Sequence, residues 1–343
     1  MIERKKIVRG SIIWVAFGLA ILLIWSLIIL AIGENPFSSF RYLIEGSLGS
    51  SRSLFSTMAR MVPLLLTGLA VAIPAWTGLW NIGGEGQLLL GGLATAYVGS
   101  TLAVQNPILA VTAGALAAFV LGAAWAFIPA ILRVKLGVNE VVTTLLSTYI
   151  ATYVMSYFVN HPLRQPGSSW AQTQRIAESF RLPFLVRGTQ FTAGFFIAAA
   201  VLVFFALIKY RTRLGYEMTI TGSNELFALA GGIKVAKTRL LAMAMGGGVA
   251  GLAGGLLVMG LTHNMREGFS PGYGFTGLLI CLLSMSHPAW IVAVSMLFAV
   301  IQTGSINLGL FTTVPSEISG VLQAVLVFFV LAISSVSSRQ RGN

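Results

Sequence analysis

The sequence contains no aspartate. Its 343 residues carry only ten acidic groups, all of them glutamate, and a single cysteine, Cys281. Charged residues make up 9% of the chain, against roughly 25% in a soluble domain. Each scarcity closes a class of function. Without aspartate there is no Ser/His/Asp triad and no Asp to hold magnesium beside a nucleotide. One cysteine within an apolar run excludes an intrachain disulfide and a cysteine metal cluster. His161, His263 and His287 are scattered without metal-ligand spacing. No catalytic residue, metal ligand or bound cofactor is expected in this chain.

What the chain has in abundance is apolar. Hydrophobic residues reach 56% and the mean hydropathy is +0.85. The apolar runs approach or exceed the ~17–25 residues that cross a bilayer as a helix, and they lack the alternation of a barrel strand. The fold class is therefore an all-α integral membrane protein. Ten spans are expected, over residues 11–32, 61–76, 88–104, 108–132, 138–159, 191–208, 240–261, 273–285, 290–308 and 318–335. The run that opens the chain is longer than the ~7–15 residues of a signal-peptide core, so it reads as a retained first span. The segments 34–60 and 160–190 read as long outer loops, the second irregular with one surface helix. The whole forms one transmembrane domain, residues 1–343.

Charge placement sets the orientation. The net charge is +12, which on a soluble protein would suggest nucleic acid. Here fourteen of the 22 Lys and Arg, including all six lysines, fall in segments that a basic start and an even span count place in the cytoplasm. That is the positive-inside bias of a multi-pass protein of the cell (inner) membrane with both termini cytoplasmic. Membrane lipid is the implied surroundings, and no nucleic-acid partner is.

The basic segment 209–239 stands out between long apolar runs. Within it Asn224 can cap a short helix, Glu225 suits its positive end, and Gly231-Gly232 can stop it in the left-handed region. A helix this short falls below the ~12–15 residues that are marginally stable alone in water. Its apolar residues, Phe227 among them, need cover, which implies docking on another protein on the cytoplasmic side.

Four further stretches are candidates. Residues 74–92 combine many glycines with Trp80, Asn81, Glu85 and Gln87 at membrane depth. A broken helix there is tolerated only against protein or a water-filled cavity. The polar groups line a solute pathway, or they brace helices or form a cytoplasmic turn. In residues 136–160, Asn139 can cap a helix with Glu140 in its first turn. Thr143, Thr144, Ser147 and Thr148 follow as a hydroxyl stripe facing a pore or a neighbouring helix. Gly247, Gly251 and Gly255 form a small-xxx-small stripe for close helix approach. Residues 231–238 resemble a phosphate-binding loop but lack its second glycine and a preceding strand, so ATP is not bound by this chain.

Four stretches together resemble the permease subunits of ATP-binding-cassette importers, in the branched-chain amino acid/ribose-like branch that handles simple sugars and nucleosides. They are NIGGEGQLLLGG (81–92), GVNEVVTTLLSTYIA (137–151), TITGSNELFALAGGIKV (219–235) followed by AGLAGGLLVMG (250–260), and GYGFTGLLICLLSMSHP (272–288). The resemblance runs from about Met58 to Pro315, and Asn139-Glu140 with Asn81…Glu85-x-Gln87 look most like the nucleoside-type members. It implies a type II importer-like permease of about ten helices. Gly222, Asn224, Glu225, Phe227, Ala228, Gly231 and Ile233 would belong to a coupling helix that fits a groove on a separate ATPase, which uses ATP and magnesium. It further implies a second permease, as a heterodimer, and an extracytoplasmic solute-binding lipoprotein. A simple sugar or other small polar metabolite is the alternative solute. From another class, an ATPase-independent secondary transporter would use Glu85 or Glu140 as a proton-linked group.

Overall fold

The computed structural model describes residues 20, 22–318 and 320–328. Two compact units are present, one built from residues before Met61 and after Ser295, the other from Met61–Ser295.

In the first unit, α1 (Leu22–Ala31) meets α2 (Pro36–Leu48) at a bend of 110°. Asn35 makes the corner: its side chain accepts the Phe37 N–H, and Pro36 occupies the first helical position, where no N–H is needed. The segment 34–60 is thus not a loop, as its polarity suggested, but α2 and the first turns of α3 (Ser51–Ala75). Glycines on facing helices join α2 to α12 (Pro288–Phe311). Gly304 lies against Leu43 and Gly46 against Asn307, whose amide donates to the Gly46 carbonyl at 3.1 Å.

The second unit is centred on α10 (Val235–Leu257), which continues as a π turn through Val258–Thr262. Most of its side chains are buried. The reason is its glycines. A Cβ on Gly251 would strike the Ala118 carbonyl of α5 (Pro107–Leu136), one on Gly254 the Leu88 carbonyl of α4 (Gly84–Thr101), and one on Gly246 the Ala70 carbonyl of α3. Three helices therefore approach α10 at backbone distance: the Gly247/Gly251 stripe seats α5, as its spacing implies, and Gly254 and Gly246, outside the stripe, seat α4 and α3. The remaining helices are α6 (Glu140–Asn160), α7 (Gly194–Arg211), α8 (Arg213–Ser223), α9 (Glu225–Ala230) and α11 (Tyr273–Leu283). Residues 161–193 form an irregular segment with one 3-10 turn, Glu178–Phe180. It is fastened to the strap after α10 by Thr173 N–H to the Met265 carbonyl and Ile176 N–H to the His263 carbonyl, both 2.9 Å.

Among the described residues six helices are long and apolar enough to cross a bilayer, or seven if the bent α1–α2 pair is one span. The expected span 88–104 is α4, which its glycines and polar residues keep outside that group. The expected span 273–285 is α11, whose 11 residues rise only about 16 Å, half of the ~30 Å hydrocarbon layer. The expected spans 11–32 and 318–335, and both termini, lie partly or wholly outside the described residues.

Candidate functional site

The arm between α7 and α10 is built by local capping. Thr212 ends α7 and caps α8, its hydroxyl accepting the Gly215 N–H at 3.2 Å. Asn224 serves two helices. Its N–H donates to the Ile220 carbonyl, closing α8, and its side chain accepts the Phe227 N–H at 3.0 Å, opening α9. At the far end Gly232 takes φ +76° and Ile233 N–H reaches back to the Ala228 carbonyl at 2.9 Å. This left-handed stop is the one the sequence allowed, carried by the second glycine of the pair. Ala228 is fully buried, whereas Leu226 is 79%, Phe227 60% and Leu229 54% exposed.

One partner of α9 had no local signal. Glu225 receives both terminal nitrogens of Arg239, at 3.0 and 2.9 Å, across 14 residues of sequence. A planar guanidinium on a carboxylate fixes direction as well as distance, so the first turn of α9 is oriented by α10. The preceding helix α8 was not legible either. Its Gly222 sits against the Trp76 carbonyl and Gly78 N–H.

The break between α3 and α4 follows Pro74. Gly78 turns the chain with φ +79°, and α4 starts at Gly84. Asn81 and Gln87 are fully buried and satisfy each other, Asn81 Nδ2 donating to Gln87 Oε1 and Gln87 Nε2 to Asn81 Oδ1, both 2.9 Å. Asn81 Oδ1 also accepts the Gly83 N–H at 3.1 Å. Glu85, 6% exposed, accepts the Gly274 N–H of α11 at 2.6 Å. It therefore stands in the first turn of α4 and at the first turn of α11, where two positive helix ends converge on one carboxylate.

The α6 stretch lies directly beside this break. Asn139 caps α6 by accepting the Val141 N–H at 2.9 Å. Glu140 is ion-paired with Arg133 at 3.2 Å, and its other oxygen lies 3.5 Å from the Trp80 nitrogen. The Thr144 hydroxyl accepts the Ile82 N–H at 3.2 Å. Trp80, Asn81, Glu85, Gln87 and Glu140 are thus gathered in one region. Thr143 and Ser147 lie on its flank, with hydroxyls donating to carbonyls of their own helix. Among the described residues no cluster of His, Cys or Glu could hold a metal ion.

Residues 53–331, which hold the polar break, the glycine-rich helix and the capped arm, match the family model described as branched-chain amino acid transport system/permease component. The chain belongs to this permease family. It is 33% identical to a glucose ABC transporter permease protein of Haloferax volcanii, covering 93% of this chain and 88% of the relative. It is also 33% identical to a nucleoside ABC transporter permease protein of Lactococcus lactis (96% and 92% covered). A guanosine ABC transporter permease protein of Bacillus subtilis is 31% identical (96% and 94% covered). The permease is a multi-pass membrane protein, and the similarity extends through both the arm and the break.

Proposed function

We propose that this permease forms the solute pathway of an ATP-driven importer, with nucleosides as its solute. The observation that carries the reading is α9. It is a capped, ion-paired, six-residue helix that presents Leu226, Phe227 and Leu229 to the surroundings. Apolar side chains on a rigid stub next to lysines and arginines suit a groove in a protein, and the family supplies an ATPase as that protein. The arm side is cytoplasmic, because it carries Lys209, Arg211, Arg213, Lys234, Lys237 and Arg239. ATP and magnesium are used by the partner ATPase. A second permease, different in sequence, completes the pathway, and an extracytoplasmic lipoprotein delivers the solute.

Glu85 supports a neutral solute. Helix ends at membrane depth attract anions, and here the carboxylate of the protein itself already occupies that place. Nucleosides and sugars are both neutral, and the glucose permease relative keeps a simple sugar as the second reading. Cells lacking this chain lose uptake of labelled nucleosides. Unchanged uptake of every nucleoside, with glucose uptake lost, selects the sugar. Phe227→Asp in the full transporter abolishes uptake while the permease remains inserted; wild-type uptake in that variant removes the docking role of α9.

A further inference from the structure

Trp76, which belongs to none of the site residues named so far, touches three elements at the root of the arm. It is 6% exposed, at the end of α3 where the break begins. Its indole Nε1–H donates to the Ser286 carbonyl at 2.8 Å. Lys209, in the last turn of α7, donates to the same carbonyl at 3.1 Å and stands 4.6 Å from the centre of the indole ring. The backbone carbonyl of Trp76 borders α8, where a Cβ on Gly222 would come within 2.5 Å of it.

The acceptor turn is itself unusual. Met285 and Ser286, between α11 and α12, both hold left-handed conformations, with φ +49° and +57°. Two consecutive non-glycine residues persist there only where the surroundings over-determine them. Two donors on one carbonyl, one cationic and one held edge-on by a buried ring, supply that constraint.

The connections form a closed circuit. From Trp76 the break leads to Glu85, Glu85 holds the first turn of α11, and the far end of α11 returns through Ser286 to Trp76. The arm enters this circuit at two places, its root through Lys209 and its flank through Gly222. A displacement of α8 and α9 therefore bears on both ends of α11 and on the polar break together. We propose that Trp76 is the positioning residue that carries movement of the arm into the break, with Lys209 holding the indole in register. This rests on the ATP-driven reading above.

The test uses the complete transporter, with its ATPase and binding protein, in proteoliposomes. Tritiated guanosine, uridine and glucose are offered, and ATP hydrolysed per solute imported is measured. Trp76→Phe keeps a ring but removes the N–H. Lys209→Met keeps the stem but removes the charge. Neither alters the exposed surface of α9. Each is expected to raise the ATP-to-solute ratio by about fivefold, the size of a typical coupling term, while ATP hydrolysis persists. Their double variant is no worse than the more severe single one, because they break one joint. Lys209→Arg restores the ratio towards wild type. The two variants sit on different elements, the turn after α3 and the last turn of α7, so if one fails to assemble the other decides. A ratio unchanged in the variant measured, or hydrolysis and uptake falling in parallel, overturns the inference alone. Absence of ATP-driven uptake of all three probes in the wild type overturns the importer reading and this inference with it.

Discussion

At the scale of single residues, the buried polar groups of the break are used on one another or on nearby backbone. Asn81 and Gln87 form a closed amide pair, and Glu85 spends its carboxylate on an α11 N–H. Sequence reasoning placed all three residues in one polar break. It had no means of naming the partner of Glu85, since Gly274 lies 189 positions away and a backbone N–H leaves no residue signature. The hydrogen bond makes a graded prediction. Glu85→Ala strands a buried donor and lowers stability by about 1–3 kcal/mol, whereas Glu85→Gln keeps an acceptor of the same reach and loses less. Thermal unfolding of the purified permease in detergent gives both values. No loss with alanine contradicts the assigned bond.

At the scale of elements, legibility follows how local the determinant is. α9 was readable to within its caps because Asn224, Glu225 and Gly232 act within one or two turns. The stripe on α10 was readable because small residues four apart share one helix face. α2 and α8 were missed because both are short and neither is an unbroken apolar run, and their helicity depends on caps at Asn35 and Thr212 and on packing. The bend at Asn35–Pro36 was hidden for a related reason, since a single capping pair redirects the chain where hydropathy reports only a gap. The glycines of α10 give an element-scale prediction. Gly254→Val places a branched side chain against the Leu88 carbonyl and prevents α4 from seating. Overpacking of this kind costs about 1–3 kcal/mol or more, so the folded yield in membranes collapses. Gly137→Ala meets no atom within 4 Å but must hold φ +68°, at about 1–2 kcal/mol, and the permease still accumulates. Equal yields of the two variants would contradict backbone-distance packing at α10.

At the scale of the whole molecule, the two units divide the chain unevenly. The break, the arm, the glycine-rich helix and the Trp76 junction all belong to residues Met61–Ser295. Within that unit, α10 is the common reference. It seats α3, α4 and α5 through its glycines, and through Arg239 it aims the first turn of α9. The apolar stub is thus tied to α10 through Arg239 on one side, and the preceding α8 borders the glycine-turned break at Gly222 on the other. The proposed coupling requires a partner's movement to pass along this route into the break.

The central claim is that α9 is gripped by a nucleotide-hydrolysing subunit. The direct measurement is photo-cross-linking from position 227 in native membranes, with a benzophenone amino acid replacing Phe227. The account predicts one dominant adduct with an ATPase. Adducts confined to lipid or to this chain's own helices would contradict it.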